Sequence, residues 1–311
     1  MNPWTVLGAA VIEGLVGYPE RLHARAPHPV AWLGALIARL ELAWNRPRWP
    51  PNARRALGAA TVLLTASAAA LAGLAVERAL AGWAFAPVVI AVVGAFGLAG
   101  RSLHDHVRAV ARPLATGDLV QARQAVGRIV GRDTAALDQA GVAAAALESL
   151  AESFCDGVVA PVFWFLVGGL PGLFAYKAVN TADSLIGHRE PRWRDFGWAA
   201  ARADDLMNLV PARIAGALVA LAGGRGWRTM LRDAPKHASP NAGWPEAAMA
   251  GALGVRMGGP AAYDGIRHER PAFGEGPAPG PGDLDRGVNV YLRACGLTAA
   301  ALAAGGFAWL R

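Results

Sequence analysis

The stretch Gly157–Tyr176, GVVAPVFWFLVGGLPGLFAY, carries no charged side chain. It is long enough to cross ~30 Å of hydrocarbon, yet Gly168, Gly169, Pro171 and Gly172 interrupt it. Glycine and proline disfavour a continuous helix. A broken helix at membrane depth occurs where its backbone lines a cavity or is buried in protein. The stretch therefore predicts a re-entrant helical hairpin rather than a straight span. A hairpin would return Lys177, Asn180 and Asp183 to the side of the membrane that holds Glu152 and Asp156.

Working outward, four polar signatures border or follow this apolar run: ESLAESFCDG at 148–157, YKAVNTADS at 176–184, ARADDLMN at 201–208 and KHASPNAGWPE at 236–246. Carboxylates, carboxamides and lysine at the edge of membrane-grade sequence are costly and mark function. Glu148, Glu152 and Asp156 follow an i, i+4, i+8 register and would share one helical face. Like charges in that register repel, so either a divalent cation or nearby arginines must relieve them. Lys177, Asn180 and Ser184 share a second face, flanked by Thr181 and Asp183. Asp204, Asp205 and Asn208 form a further acid–amide group.

The rest of the chain frames these signatures. The runs 57–76 and 79–100 are uncharged over 20 and 22 residues, with only Glu77 and Arg78 between them. They predict a transmembrane hairpin with a very short turn. The arginines of 21–55 and 101–132 then fall on one side, the cytoplasmic side by the positive-inside rule. Trp4–Pro19 predicts a first apolar helix containing Glu13, which either faces a partner helix or serves a site. Residues 31–42, AWLGALIARLEL, suit an amphipathic surface helix after His28, and PRWPPN at 47–52 breaks the chain. Residues 101–147 predict a soluble helical segment, with GRDT at 131–134 as a turn able to meet phosphate. Residues 225–289 form a polar segment rich in Gly and Pro, and Ala294–Leu310 a last membrane helix. The fold class expected is all-α: a polytopic integral membrane protein with about five membrane helices, a re-entrant broken helix and cytoplasmic helical loops. Residues 1–311 are read as one membrane-embedded domain.

Composition agrees. The 311 residues are 54% hydrophobic and 17% charged, with mean hydropathy +0.29; soluble domains carry about 25% charge. The net charge of +7 is almost wholly arginine, since Lys177 and Lys236 are the only lysines. No basic patch has groove-reading or aromatic context, which argues against nucleic acid as a partner. Cys155 and Cys295 lack metal-ligand or disulfide-framework spacing, and Cys155 reads as a small buried residue.

Acids at helical spacing beside asparagine suit Mg²⁺, which takes oxygen ligands and binds together with substrate phosphates. Glu148, Glu152, Asp156, Asp204 and Asp205 are the candidate metal ligands. Lys177, Arg202, Lys236, His237 and His28 can neutralise phosphate charge, and the small-residue loop SPNAG, with Ser239 and Asn241, can present N–H groups to an anion. No phosphate-binding loop of the GxxxxGK[ST] type or kinase signature is present. Residue chemistry alone thus leaves open metal-assisted chemistry on a phosphorylated substrate, a membrane-embedded Mg²⁺-dependent transferase acting on a lipid diphosphate, and a non-enzymatic sensor or transporter.

The signatures, in order, resemble those of the CbiB/CobD family of cobalamin biosynthesis, the adenosylcobinamide-phosphate synthases. The matching stretches are HPVAWLG at 28–34, GRDT, ESLAESFCDGVVAPVFW, GGLPGLFAYKAVNTADSLIGHR, FGWAAARADDLMNLVPAR, SPNAGWPEAAMAGALGVRMGG and Tyr263-Asp264-Gly265. The resemblance implies a multi-pass enzyme of the bacterial inner membrane with its active face in the cytoplasm. It implies a ligase that joins (R)-1-aminopropan-2-ol O-phosphate, or a related amino alcohol, to adenosylcobyric acid by an amide bond. ATP as co-substrate and Mg²⁺ are implied, with the corrinoid, membrane lipid and other cobalamin-biosynthesis enzymes as partners. On this reading Glu152, Asp156, Lys177 and Asp205 are catalytic, while His28, Asn180, Asp183, Arg202, Lys236, His237, Ser239 and Asn241 bind substrate. The chain departs from the family pattern at Glu13, at Gly17-Tyr18-Pro19 where an acid is expected, at Ser153 in place of Asn, and at Ile186 and His188. No ligand role is therefore assigned to Tyr18 or Ser153.

Overall fold

The computed structural model describes residues 1–18, 27–263 and 265–309; Pro19, Asp264 and Leu310, named above, and the arginines at 21 and 25 lie outside them. The described chain is mostly helical, with very little sheet. In order come α1 (Pro3–Val16), α2 (Pro29–Trp44), α3 (Pro51–Ala79), α4 (Ala86–Ala95), α5 (Gly100–Ala115), α6 (Leu119–Val126) and α7 (Gln139–Phe154). A five-residue π-helix (Cys155–Val159) leads into α8 (Ala160–Ile186), followed by α9 (Trp198–Ala222), α10 (Trp227–Asp233), α11 (Gly243–Leu253) and α12 (Pro281–Trp309). Five stretches are long and apolar enough to cross a membrane: Pro51–Ala79, Ala86–Ala115, Gln139–Ile186, Trp198–Ala222 and Pro281–Trp309. The protein is an all-α, multi-pass membrane protein, as its charge-free runs predict.

Contacts divide the chain into two compact units, one of Met1–Ala99, Ala160–Asn208 and Leu302–Arg311, the other of Gly100–Val159 and Leu209–Ala301. The first unit is built like a membrane bundle. Its longest helix, α3, buries Gly58, Thr61, Val62, Thr65, Ala69 and Gly73, while Leu63, Leu64, Leu71 and Leu74 point outward. Small residues inward and leucines outward is the lipid arrangement: without water to drive leucines inside, close backbone approach holds the helices together. The inward threonines donate back along the helix, Thr61 to the Leu57 carbonyl (2.9 Å) and Thr65 to the Thr61 carbonyl (2.8 Å), so no hydroxyl is left unsatisfied.

The predicted turn at Glu77–Arg78 is displaced. α3 continues to Ala79, the turn occupies 80–85, and α4 is only ten residues long before the chain breaks at 96–99. Glu77 therefore stays helical, and its carboxylate serves the broken helix. α8 departs from helical geometry at Gly169, with φ +64° and ψ −157°. An added Cβ at Gly172 would lie 2.5 Å from the Trp164 carbonyl oxygen. In a straight helix eight residues span about 12 Å, so the chain bends sharply, as the Gly/Pro cluster predicts. Beyond the bend Leu170 N–H donates to Glu77 Oε1 (2.8 Å), satisfying an N-terminal donor that the break exposes. The bend packs against Gly73, where a Cβ would lie 2.7 Å from Pro171 N.

The second unit has one large apolar core. α5 contributes Leu103, Val107, Val110, Ala111 and Leu114 at helical spacing. α7 is buried along most of its length, and α12 adds Leu284, Val288 and Tyr291, whose hydroxyl donates to the Gly100 carbonyl (2.8 Å). Residues 225–289 read from sequence as a polar segment, yet much of it is ordered. α11 is buried almost throughout, mostly through alanine, methionine and leucine, and two short antiparallel strand pairs follow, Met257–Gly258 with Ala272–Phe273 and Ala261–Tyr263 with Ile266–His268. The acid–amide group at 204–208 does not end its helix at the proline that follows. α9 runs through Pro211 in one 25-residue helix.

Candidate active site

Each unit holds a polar cluster, and the two are built on different principles. In the first unit α8 and α9 face each other across an acid–amide network. Asp204 accepts from Asn180 Nδ2 through Oδ1 (3.2 Å) and from Asn208 Nδ2 through Oδ2 (3.0 Å). Tyr176 is fully buried and donates its hydroxyl to Asn208 Oδ1 (3.2 Å). Lys177 and Asp205 are electrostatic neighbours of Asp204. Asp205 pairs with Arg202 one turn away (3.2 Å). The helix register brings this about: Tyr176, Lys177 and Asn180 lie within one turn of α8, and Asp204 and Asn208 stand i, i+4 on α9. Trp164 Nε1 donates to the Met207 carbonyl (3.1 Å) beside them.

The network joins Asn180 to Asp204, with Lys177 and Asp205 as electrostatic neighbours of that carboxylate. Asp183 lies one turn further on; a Cβ at Gly187 would strike its Oδ1 at 1.9 Å, so glycine there makes room for this carboxylate. His28 is the N-cap of α2, where its Nδ1 accepts from Val30 N–H (3.3 Å) and its ring meets Tyr18 edge-on at 4.7 Å.

In the second unit the acid row is split. Glu148 is 3% exposed. It is ion-paired to Arg132 and to Arg270 (3.3 Å), and its Oε1 accepts from Gly258 N–H (3.0 Å). Arginines relieve the repulsion at Glu148 and hold its carboxylate as an ion-pair centre. Glu152 is exposed on the same helix, and Asp156 falls in the π-helix, where the turn widens and the i+8 register no longer holds. The GRDT turn is likewise structural: Arg132 takes Glu148, and Asp133 ties to the second strand pair through Asp133 N–H to the Ala262 carbonyl (2.9 Å) and Gly265 N–H to Asp133 Oδ2 (2.8 Å).

The SPNAG loop folds on itself. Ser239 Oγ accepts from Asn241 N–H (3.2 Å) and Ala242 N–H (3.3 Å), and Asn241 Oδ1 accepts from Arg213 (3.0 Å). Arg213 also lies over the Trp244 ring at 4.7 Å. Lys236 donates to buried Asp233 (2.7 Å), which also holds Arg232 and Gly274 N–H. The hydrogen bonds from Arg232, with those from Lys236 and Gly274, outweigh burial and hold the Asp233 carboxyl well below the usual carboxylate range. Lys236 is thereby engaged in holding a turn. His237 Nδ1 accepts from Ser239 N–H (2.9 Å), which leaves Nε2 to carry the proton toward Glu246 Oε1 at 3.7 Å.

Sequence reasoning gave no role to Tyr176, Arg270, Arg213 or Glu246. Tyr176 was within reach, one residue before Lys177 in a motif already singled out. Arg270 was not, since its partner lies far away along the chain.

Among the described residues no group of three or more His, Cys, Asp or Glu side chains is arranged to hold a metal ion. Mg²⁺ commonly uses one or two carboxylates plus water and substrate phosphate. The adjacent carboxylates of Asp204 and Asp205, with the Asn180 carboxamide, have the oxygen chemistry for that mode, Asp205 also pairing with Arg202.

Fold and site together define a polytopic membrane protein with charged and carboxamide groups set into helices of membrane length. The chain belongs to the CobD/Cbib family, whose model matches residues 6–291. It is 53% identical over 289 residues to cobalamin biosynthesis protein CobD of Rhodobacter capsulatus, covering 91% of this chain and 90% of that one. It is 45% identical over 308 residues to the protein of the same name from a Sinorhizobium species (92% and 93% covered). To that of Brucella suis it is 47% identical over 274 residues (85% and 84% covered). No solved structure matches the chain.

Proposed function

We propose that the protein is a cobalamin-biosynthesis ligase of the bacterial inner membrane. It joins the amine of an aminopropanol, as its O-phosphate or a related amino alcohol, to the propionate carboxylate of adenosylcobyric acid, with consumption of ATP. Its polar face is cytoplasmic, on the side of the arginine-rich loops. The observation that carries this reading is the Asp204 network: an acid, two carboxamides, a tyrosine and a lysine on two apolar helices of a CobD/Cbib family member. Polar groups at that cost are kept for chemistry.

A carboxylate is a poor electrophile, so the reaction needs an activated acyl group. Transfer of the terminal phosphoryl group of ATP to the propionate gives an acyl phosphate and ADP. Attack by the neutral amine then forms the C–N bond and releases phosphate. Lys177 carries the positive charge that steadies the transferring phosphoryl oxygens. Asn180 and Asn208 hold Asp204 in one orientation, and Tyr176 fixes Asn208. Asp204 and Asp205 are the residues that would hold Mg²⁺, which when bound supplies charge neutralisation on the phosphates. Glu152 and Asp156 are retained as catalytic candidates of the second unit.

The test is product formation by the purified protein in detergent with adenosylcobyric acid, aminopropanol O-phosphate, ATP and Mg²⁺. Mass spectrometry of the corrinoid should show the amide, dependent on ATP and Mg²⁺ and lost in Lys177→Ala. Well-folded protein that turns over a lipid diphosphate and makes no corrinoid amide would overturn the reading.

A further inference from the structure

Glu246 lies in the first turn of α11 and is 2% exposed. The loop before it drives it inward. Gly243 packs so closely that a Cβ would lie 2.4 Å from the Ala234 carbonyl oxygen and 2.7 Å from His237 Cβ. Glu246 Oε1 faces His237 Nε2 at 3.7 Å, beyond hydrogen-bond length. Glu246 Oε2 has no hydrogen-bond partner, and among the described residues no other buried side-chain nitrogen or oxygen is left so.

The surroundings do not supply a donor. Glu152 and Glu148 act on Glu246 with like charge. Arg132 and Arg270, the cations that could answer it, are both paired with Glu148. Burial first, and then the Glu152 and Glu148 charges, push the Glu246 carboxyl well above its usual range. A buried carboxyl oxygen without a donor is a costly arrangement that a folded protein keeps for a reason.

What would complete the position is a small group with several N–H donors and a positive charge, which would also draw the raised carboxyl back to its ionised, accepting form. A protonated primary amine has three donors and one charge. Glu148 is already taken up by two guanidiniums, and a bound water would supply a donor without the charge that neighbouring carboxylates call for.

We propose that Glu246 Oε2 binds the primary ammonium group of the amine co-substrate, with Glu152 contributing negative charge nearby. This rests on the amide-forming reading for the identity of the amine. It names the residue that selects an amino alcohol over the corresponding diol.

The experiment is thermal unfolding of the full-length protein in detergent, without ATP or corrinoid. The added probes are 1-aminopropan-2-ol, its O-phosphate, propane-1,2-diol and propane-1,2-diol phosphate. The two amines should raise Tm in a concentration-dependent manner and the diols should not. Glu246→Gln, which keeps the shape and relieves the like-charge contact, should have an unliganded Tm at or above wild type and no amine-dependent shift. In turnover assays it should raise KM for the amine at least tenfold with KM for ATP unchanged. Equal shifts with amine and diol, or an undiminished amine shift in Glu246→Gln, would sink the proposal. Amine binding that depends on Glu246 in a protein that forms no corrinoid amide would support the site and reject the amide-forming reaction.

Discussion

Asp204 and Glu148 are both acids on apolar helices, and they are held in opposite ways. Asp204 takes its hydrogen bonds from two neutral carboxamides. Glu148 takes its own from two guanidiniums and a backbone N–H. Amides orient a carboxylate and leave its charge in place. Guanidiniums cancel it. The first arrangement prepares an acid to meet something else, while the second closes a structural junction between α7, the GRDT turn and the strand segment. Acids at regular helical spacing therefore say that charge must be answered, and only the partner says whether the answer is a ligand or the protein.

The comparison breaks or sharpens under substitution. Glu148→Ala should have the largest effect: it strands Arg132 and Arg270, whose side chains are 11% and 21% exposed. Breaking a buried pair in this way costs about 3–5 kcal/mol, read as loss of folded protein in a thermal or denaturant melt. Asp204→Asn should do the reverse. Turnover should fall by about 10²–10³-fold, the range for losing one preorganised electrostatic group, with the melt within about 1 kcal/mol of wild type. If Asp204→Asn unfolded the protein and Glu148→Ala merely slowed it, the distinction drawn between the two acids would be wrong.

Asp233 offers a test by pH. Its carboxyl is depressed in the folded state, so its contribution is present above the unfolded value of about 3.9 and is lost as pH falls below it toward the folded value. Asp233→Asn should cost about 1.5–3 kcal/mol at neutral pH, the range for hydrogen bonds to charged groups. It should also flatten the loss of stability below about pH 4; an unchanged acid limb would count against the ion-paired turn. Gly169→Ala imposes a left-handed backbone on a residue with a Cβ, at about 1–2 kcal/mol, and pushes that Cβ to 2.4 Å from Glu77 Oε1. The bend should loosen, which protease accessibility near 168–172 would register. Tyr176→Phe removes one hydrogen bond from the network, about 1 kcal/mol. Turnover should drop several-fold if Asn208 needs that anchor and stay level if the carboxamide is held from elsewhere.

Much of this was legible in the sequence. Charge-free runs fixed the membrane class because hydrocarbon admits few charges over ~30 Å. Gly168, Gly169, Pro171 and Gly172 located the bend, since backbone chemistry is local. Spacing alone put Lys177 with Asn180, and Asp204 with Asn208, because the helical period is fixed. Tertiary structure decided the rest. Whether Glu148 meets metal or arginine depended on Arg270, distant along the chain and without a motif of its own. Glu77 read as a turn residue and became the cap of a broken helix, because the donor it satisfies exists only once α8 bends against Gly73. Glu246 read as one more letter of SPNAGWPE, and its unpartnered oxygen exists only because Gly243 lets the loop pack it inside. Local periodicity is written in the order of residues; which buried charge finds which partner is settled only when segments far apart in sequence are brought together.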